Sequence, residues 1–341
     1  MTVLERKTSS PFALSEALGF LPIDGLRRWL GHRDPEEARA IGARWGRRVA
    51  ALGGRVTDLS RINMSLAFPD QSVAFRERLL ADAFTKLGMG LAELALLQGP
   101  HAESVIDAVR LEGEEHLVRG EDSGQGALVV TAHFGSWDLY AAAISRRYPL
   151  TVVHRGFRNE RVTEMMTQVR LAGGGDLEEI RMGPRAVPGL LGALRRGRYC
   201  VLLMDQNARA QEGVFVPFFS RPACTRSAPA VVAMRRKVPV YPVFGHREGF
   251  GGRHVVKIGR PLSIDEVAKD APVEVFDAAV QSNVAKMTSA IEQAIRTHPD
   301  QWIWSQRRWK TQPMGERPEE ASHLYPSRDS LLRRIRHRLR A

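Results

Sequence analysis

From about residue 125 the chain falls into a repeating pattern. Short apolar runs at 127–132, 150–154, 199–204, 238–244 and 254–258 are separated by longer amphipathic segments at 138–147, 157–172, 185–196 and 226–236. Runs of that length rich in Val, Ile and Leu read as buried strands, and the intervening segments carry a helical period. Strands joined through helices pair mainly in parallel, with the helices covering the sheet faces. "GFGG" at 249–252 separates the last two runs and reads as a hairpin turn, so that edge is expected to be antiparallel. The predicted fold is α/β, a mixed, mainly parallel sheet flanked by helices.

Residues 1–100 read as a helical N-terminal region packing on this core. Its clearest helix spans 73–97, where Phe75, Leu79, Ala83, Leu87 and Leu91 form an i, i+4 stripe widened by Leu80, Phe84 and Leu94. The α/β core is expected over 101–312, with a helix at about 273–297 near its end. A linker and a basic amphipathic helix follow over 313–341. In that last helix, "SLLRRIRHRLRA" (330–341), Leu331, Leu332, Ile335 and Leu339 share one face and arginines fill much of the rest. Such a helix suits an anionic bilayer surface, and a solvated, frayed tail is the plainer alternative.

Lys and Arg number 50 against 38 Asp and Glu, a formal charge of +12, which calls for an anionic partner. Nucleic acid fits less well than a membrane, because no stacking aromatics interleave the terminal arginines and no nucleic-acid-binding motif is present. Cys200 and Cys224 have no metal-ligand spacing, the histidines show no H-E-x-x-H pattern, and no phosphate loop follows "AGGGD" (172–176), so neither a metal nor a bound cofactor is expected. Glu16, Asp24, Pro11 and Pro22 interrupt the apolar N-terminus well short of the ~20 residues of a spanning helix. No transmembrane helix and no secretory signal is expected.

The segment "VVTAHFGSWDLY" (129–140) puts His133 just past a strand and Asp138 at the start of a helix. On one helix these residues would point about 140° apart. Across a strand–turn–helix corner they can face each other, with Gly135 easing the turn. A carboxylate fixes the tautomer of a neighbouring imidazole and stabilises its protonated form, which general-base catalysis requires. No G-x-S-x-G accompanies them, so such a dyad would deprotonate a substrate hydroxyl directly. The spacing taken alone favours the plainer reading, a histidine capping a strand edge beside an N-cap aspartate.

The H-x4-D spacing, taken with its surroundings, resembles the glycerolipid acyltransferase superfamily. The similarity is to the late acyltransferases of lipid A biosynthesis and the related phosphatidylinositol mannoside acyltransferases. Six blocks carry it in order: "RINMSLAFPD" (61–70), "HFGSWD" (133–138), "VVHRGFRNERV" (152–162), "LLMDQNARAQEGVFVPFFSRPACT" (202–225), "VPVYPVF" (238–244) and "HPDQWIWSQRRWK" (298–310). The resemblance implies His133 as general base and Asp138 as its orienting partner. It implies Arg155 and Asn159 beyond the second strand as substrate-binding residues, where a solvated arginine is the alternative. Asp205 and Gln206 would bind acceptor hydroxyls or cap a turn. Arg307, Arg308 and Lys310 lie among Trp302, Trp304 and Trp309, as at a lipid headgroup interface or around indoles packed in a core.

The implied reaction moves a fatty acyl chain from an acyl-carrier-protein or coenzyme A thioester to a hydroxyl of a lipid A-type glycolipid or phospholipid. A basic surface would also suit the acidic carrier protein. The implied location is the cytoplasmic face of the inner membrane, held peripherally. Two features depart from the family pattern: aspartate replaces the usual glutamate in the catalytic block, and the transmembrane helix with which many members begin is missing. Acylation of a lysophospholipid or a soluble acceptor, and lipid binding without catalysis, are the rival expectations.

Overall fold

The computed structural model describes residues 11–121, 124–157, 159–313 and 325. The C-terminal basic helix expected over 330–341 lies outside them.

Among the described residues four helices come first: α1 (Pro11–Gly31), α2 (Pro35–Leu52), α3 (Arg55–Ala67) and α4 (Val73–Leu96). Asp34 and Ser72 cap α2 and α4 by accepting backbone N–H bonds, which fixes where those helices begin. Helices α2 and α4 cross at backbone contact, for a Cβ on Gly42 would lie 2.2 Å from the Gly88 carbonyl oxygen. The expected stripe on α4 holds through Leu79, Ala83 and Phe84, yet Leu91 is exposed. An i, i+4 series drifts around an α-helix by about 40° per step, so its far end rotates out of the buried face.

A short helix α5 (Ala102–Asp107) leads into β1 (Val109–Glu112), α6 (Glu114–Glu121), β2 (Ala127–Thr131) and α7 (Trp137–Ser145). β3 (Leu150–His154), α8 (Glu160–Leu171), β4 (Leu177–Arg181), α9 (Ala186–Arg195) and β5 (Tyr199–Leu203) continue the alternation. A two-stranded hairpin, β6 (Gly213–Phe218) and β7 (Arg221–Arg226), precedes α10 (Ala228–Arg236), β8 (Val240–Arg247), β9 (His254–Ile258) and α11 (Val273–Thr297).

The main sheet has seven strands in the order β1-β9-β8-β2-β5-β3-β4. The β8–β9 pairing is antiparallel, as the glycine-rich turn implied, and the other pairings are parallel. Alternate side chains enter two cores. Leu128, Val130 and Cys200 pack on one face with α9, α10 and α11, while Val129, Tyr199 and Val201 pack on the other with α7 and α8. The result is an α/β fold with a helical N-terminal region, as the sequence pattern indicated.

Candidate active site

β2 and β5 are neighbours, with Thr131 paired to Leu203. The ladder runs one bond further, from Met204 N–H to the Thr131 carbonyl at 3.0 Å. Two residues past each strand, at equal offset, stand His133 and Asp205. His133 Nδ1 lies 2.9 Å from Asp205 Oδ1, and the His133 backbone N–H donates to Oδ2 at 3.1 Å.

Asp205 is fully buried. Trp302 Nε1 and Gln306 Nε2 each donate to its Oδ2 at 2.8 Å. Burial alone would raise the pKa of such a carboxyl. The charge and hydrogen bond of His133, with the Gln306 and Trp302 bonds, outweigh it and hold Asp205 ionised far below the usual carboxylate range. For His133, burial pulls the pKa down, but the charge and hydrogen bond of Asp205 and the more distant charge of Asp138 leave it above 6.5. Donation from Nδ1 to Asp205 leaves Nε2 as the basic nitrogen of the neutral ring. The side chain is 25% exposed, the Gln206 amide nitrogen stands 3.4 Å from Nε2, and Trp137 meets the ring edge-on.

The carboxylate touching His133 is therefore Asp205, where Asp138 was expected. Asp138 sits in the first turn of α7 and accepts from Arg170 Nε at 2.7 Å, and Arg170 Nη1 reaches Glu179 at 2.7 Å. The helix turns the Asp138 carboxylate toward α8 and β4, so it acts on the imidazole only through its charge.

The corner between β2 and α7 is fixed from several sides. Gly135 has φ 59°, and a Cβ there would lie 2.5 Å from the Tyr140 hydroxyl, which excludes a side chain on steric as well as backbone grounds. Its N–H donates to the Gln301 carbonyl at 2.7 Å, and Ile303 N–H donates to the His133 carbonyl at 3.1 Å. Ser136 Oγ donates at 3.0 Å to Glu93 of α4, which is fully buried. Arg247 Nη1 donates to Glu93 Oε1 at 2.7 Å, and His254 Nε2 lies 3.1 Å from the same oxygen. Burial would raise the Glu93 pKa, but His254 and Arg247 bring it down to about 2.

An apolar cavity opens beside this corner, between α7 and the sheet. Trp137, Asp138, Thr131 and Leu203 line it near His133, and Val201, Val152, Tyr199 and Ile258 line it further along the strands. From Leu203 to Tyr199 the lining covers four strand steps, about 13 Å.

The remaining predicted residues are placed differently from one another. Arg155 is exposed beyond the end of β3. Asn159 caps α8 by accepting the Arg161 N–H at 3.0 Å, a structural task its sequence context did not disclose. Arg307 is half-buried, whereas Arg308 is wholly enclosed and so is not positioned to meet a ligand. Arg308 donates to the Cys224 carbonyl at 3.0 Å and to Thr225 Oγ1, and it lies over the Phe218 ring. Burial lowers its pKa to about 10, against the opposing charge of Asp205. Trp302, Trp304 and Trp309 are buried too, which decides for the packed-core reading of that block over a lipid-facing one.

The sequence profile described as bacterial lipid A biosynthesis acyltransferase matches residues 17–311. The chain belongs to this family. It is an acyltransferase of lipid A biosynthesis. It is 26% identical to the lipid A biosynthesis palmitoleoyltransferase of Escherichia coli K12 over 278 residues, 81% of this chain and 86% of the other. It is 24% identical to the lauroyltransferase of that organism over 255 residues, covering 74% of this chain and 78% of the other. To the myristoyltransferase of the same strain it is 24% identical over 301 residues, 86% of each chain.

Several of the acyltransferase's sequence blocks meet in space. Asn63, from the earliest block, donates to the Trp304 carbonyl at 2.6 Å and accepts from Tyr325 at 2.6 Å. The closing block reaches Asp205 through Trp302 and Gln306. Gln306, Arg170 and Glu93 were not singled out in the sequence. Gln306 lies inside a recognised block, but nothing in the local pattern marked Arg170 or Glu93.

Proposed function

We propose that this acyltransferase moves a fatty acyl chain from an acyl thioester, carried by acyl-carrier protein or coenzyme A, to a hydroxyl of a lipid A precursor. His133 is the general base in this reading, and Asp205 holds it in place. The hydrogen-bonded His133–Asp205 pair, next to Trp137 of the apolar cavity's lining, carries the proposal. His133 Nε2 takes the proton of the acceptor hydroxyl as its oxygen bonds to the thioester carbonyl carbon. The tetrahedral intermediate then breaks its C–S bond, and the proton on Nε2 passes to the departing thiolate. Asp205 stays ionised throughout and stabilises the imidazolium.

The acyl chain lies in the cavity along Leu203, Val201 and Tyr199, shielded from water. Arg155 and Arg307 are cations suited to phosphate on donor or acceptor. The basic surface favours the acidic carrier protein, and the acceptor places the enzyme peripherally at the cytoplasmic face of the inner membrane. Asp138 serves the site chiefly as a partner of Arg170.

The test supplies a labelled acyl-carrier-protein or coenzyme A thioester and a lipid A precursor to wild type, His133→Ala and Asp205→Asn, with products read by mass spectrometry. A histidine-dependent acyl mass gain on the precursor is the expected result. Gain on a lysophospholipid alone, or no transfer with either donor, rejects the reading.

A further inference from the structure

Over its described side chains, helix α1 is turned inside out relative to an ordinary surface helix. From Phe20 onward, its two charges nearest the body of the protein are Asp24 and Arg27, with side chains only 15% and 17% exposed. Arg27 donates to Asp24 at 3.0 Å and also bonds Gln98, in the turn following α4. The side turned to solvent carries Leu21, Pro22, Ile23, Leu26 and Trp29, all exposed, with Arg28 at its margin. Soluble proteins place such helices the other way round, apolar stripe inward and charges outward.

The following helix repeats the theme. Trp45, Val49 and Leu52 recur at i, i+4 and i+7 along α2, and all three are exposed, Leu52 to 85%. Past Glu37 every charged residue of α2 is an arginine, and Arg44, Arg47 and Arg48 are exposed around this row. Exposed tryptophan and leucine set among arginines match the boundary between anionic headgroups and acyl chains, where indole is at home and guanidinium meets phosphate. A purely apolar protein partner would leave those arginines without counter-charge.

We propose that the N-terminal helical region is the membrane-docking surface, with α1 lying in the plane of an anionic bilayer and its Leu21–Trp29 side inserted at the headgroup boundary. This extends the membrane part of the reading above, and it stands or falls separately from the acyl-transfer step. In the tryptophan–arginine block at 301–310, another candidate for attachment, the three tryptophans and Arg308 are buried and so take no part in this role.

The test compares wild type, Leu26→Glu/Trp29→Glu, Trp45→Glu/Val49→Glu and His133→Ala in co-sedimentation with phosphatidylglycerol–phosphatidylethanolamine vesicles and with phosphatidylcholine vesicles. Wild type and His133→Ala should bind the anionic vesicles alike. Each double glutamate variant should bind at least tenfold less, while keeping wild-type transfer to a micelle-dispersed acceptor and an unchanged circular dichroism spectrum. Lipids brominated near the headgroup should quench part of the tryptophan fluorescence of the wild type, and Trp29→Phe should remove much of the quenched part. Undiminished vesicle binding by Leu26→Glu/Trp29→Glu would overturn the proposal. So would a concentration-dependent wild-type dimer that the same variant dissolves, since the face would then belong to a second copy of the chain.

Discussion

His133 and Asp205 are 72 positions apart in sequence, yet their side chains meet at 2.9 Å because both follow paired strands by the same two residues. Asp138, five positions from the histidine, is bound instead to a guanidinium on the next helix. This separation gives the two aspartates distinguishable phenotypes.

Replacing Asp205 with Asn removes the charge that raises the His133 pKa and leaves burial, which lowers it. The base is active when neutral, so in the wild type the acid limb of kcat/KM should lie above pH 6.5. In Asp205→Asn that limb should move to lower pH, and the plateau should fall on the order of 10²-fold. A pH–rate profile over pH 5 to about 9 reads both.

Asp138→Ala breaks a largely buried pair and leaves Arg170 with Glu179 alone. The cost should be mainly in stability, about 3 kcal/mol, and should appear in denaturant unfolding. Asp138→Ala should retain much more of kcat than Asp205→Ala when both are assayed well below their melting temperatures. Equal losses of kcat would return Asp138 to the proton-handling machinery.

Glu93→Gln leaves Arg247 and His254 buried without their carboxylate, and about 3–5 kcal/mol of stability should be lost. In the wild type the folded pKa of Glu93 is depressed from 4.5 to about 2. Its contribution is therefore present in full above pH 4.5 and is lost as pH falls toward 2. Urea midpoints between pH 6 and about 3 should fall more steeply for wild type than for Glu93→Gln.

Val201→Trp puts a large ring into the apolar cavity midway between Leu203 and Tyr199. If the acyl chain lies there, kcat/KM for long-chain donors should fall at least tenfold while the shortest donors are spared. Competition between thioesters of different chain length measures that ratio directly.

Much of this architecture is written in local pattern. The runs around Val129, Val201 and Val243 are apolar enough to be recognised as strands, and the turn at 249–252 announces its hairpin. β4 escaped notice because "LEEIR" carries two glutamates; in the fold, Glu179 binds Arg170 and Glu178 accepts from Thr151. The resemblance paired His133 with Asp138 through the H-x4-D block, whereas the carboxylate hydrogen-bonded to the ring is Asp205. Strand order, a long-range property, decides which strand end stands beside another. The closing block showed its residue types plainly but not which way they face. Trp302 and Arg308 look alike on paper whether turned to lipid or enclosed behind the β6–β7 hairpin.

The equal offset of His133 and Asp205 from Thr131 and Leu203 also limits what the gene can tolerate. A residue inserted between 128 and 133, or between 200 and 205, would shift one member of the pair by a full strand step, about 3.3 Å, and turn its side chain to the opposite face. The connections at the other edge of the sheet, such as Arg146–Pro149 and Arg196–Arg198, carry no such coupling. Length variation among descendants of this chain should therefore collect at that edge, while the two segments leading to the pair change in composition and hold their length.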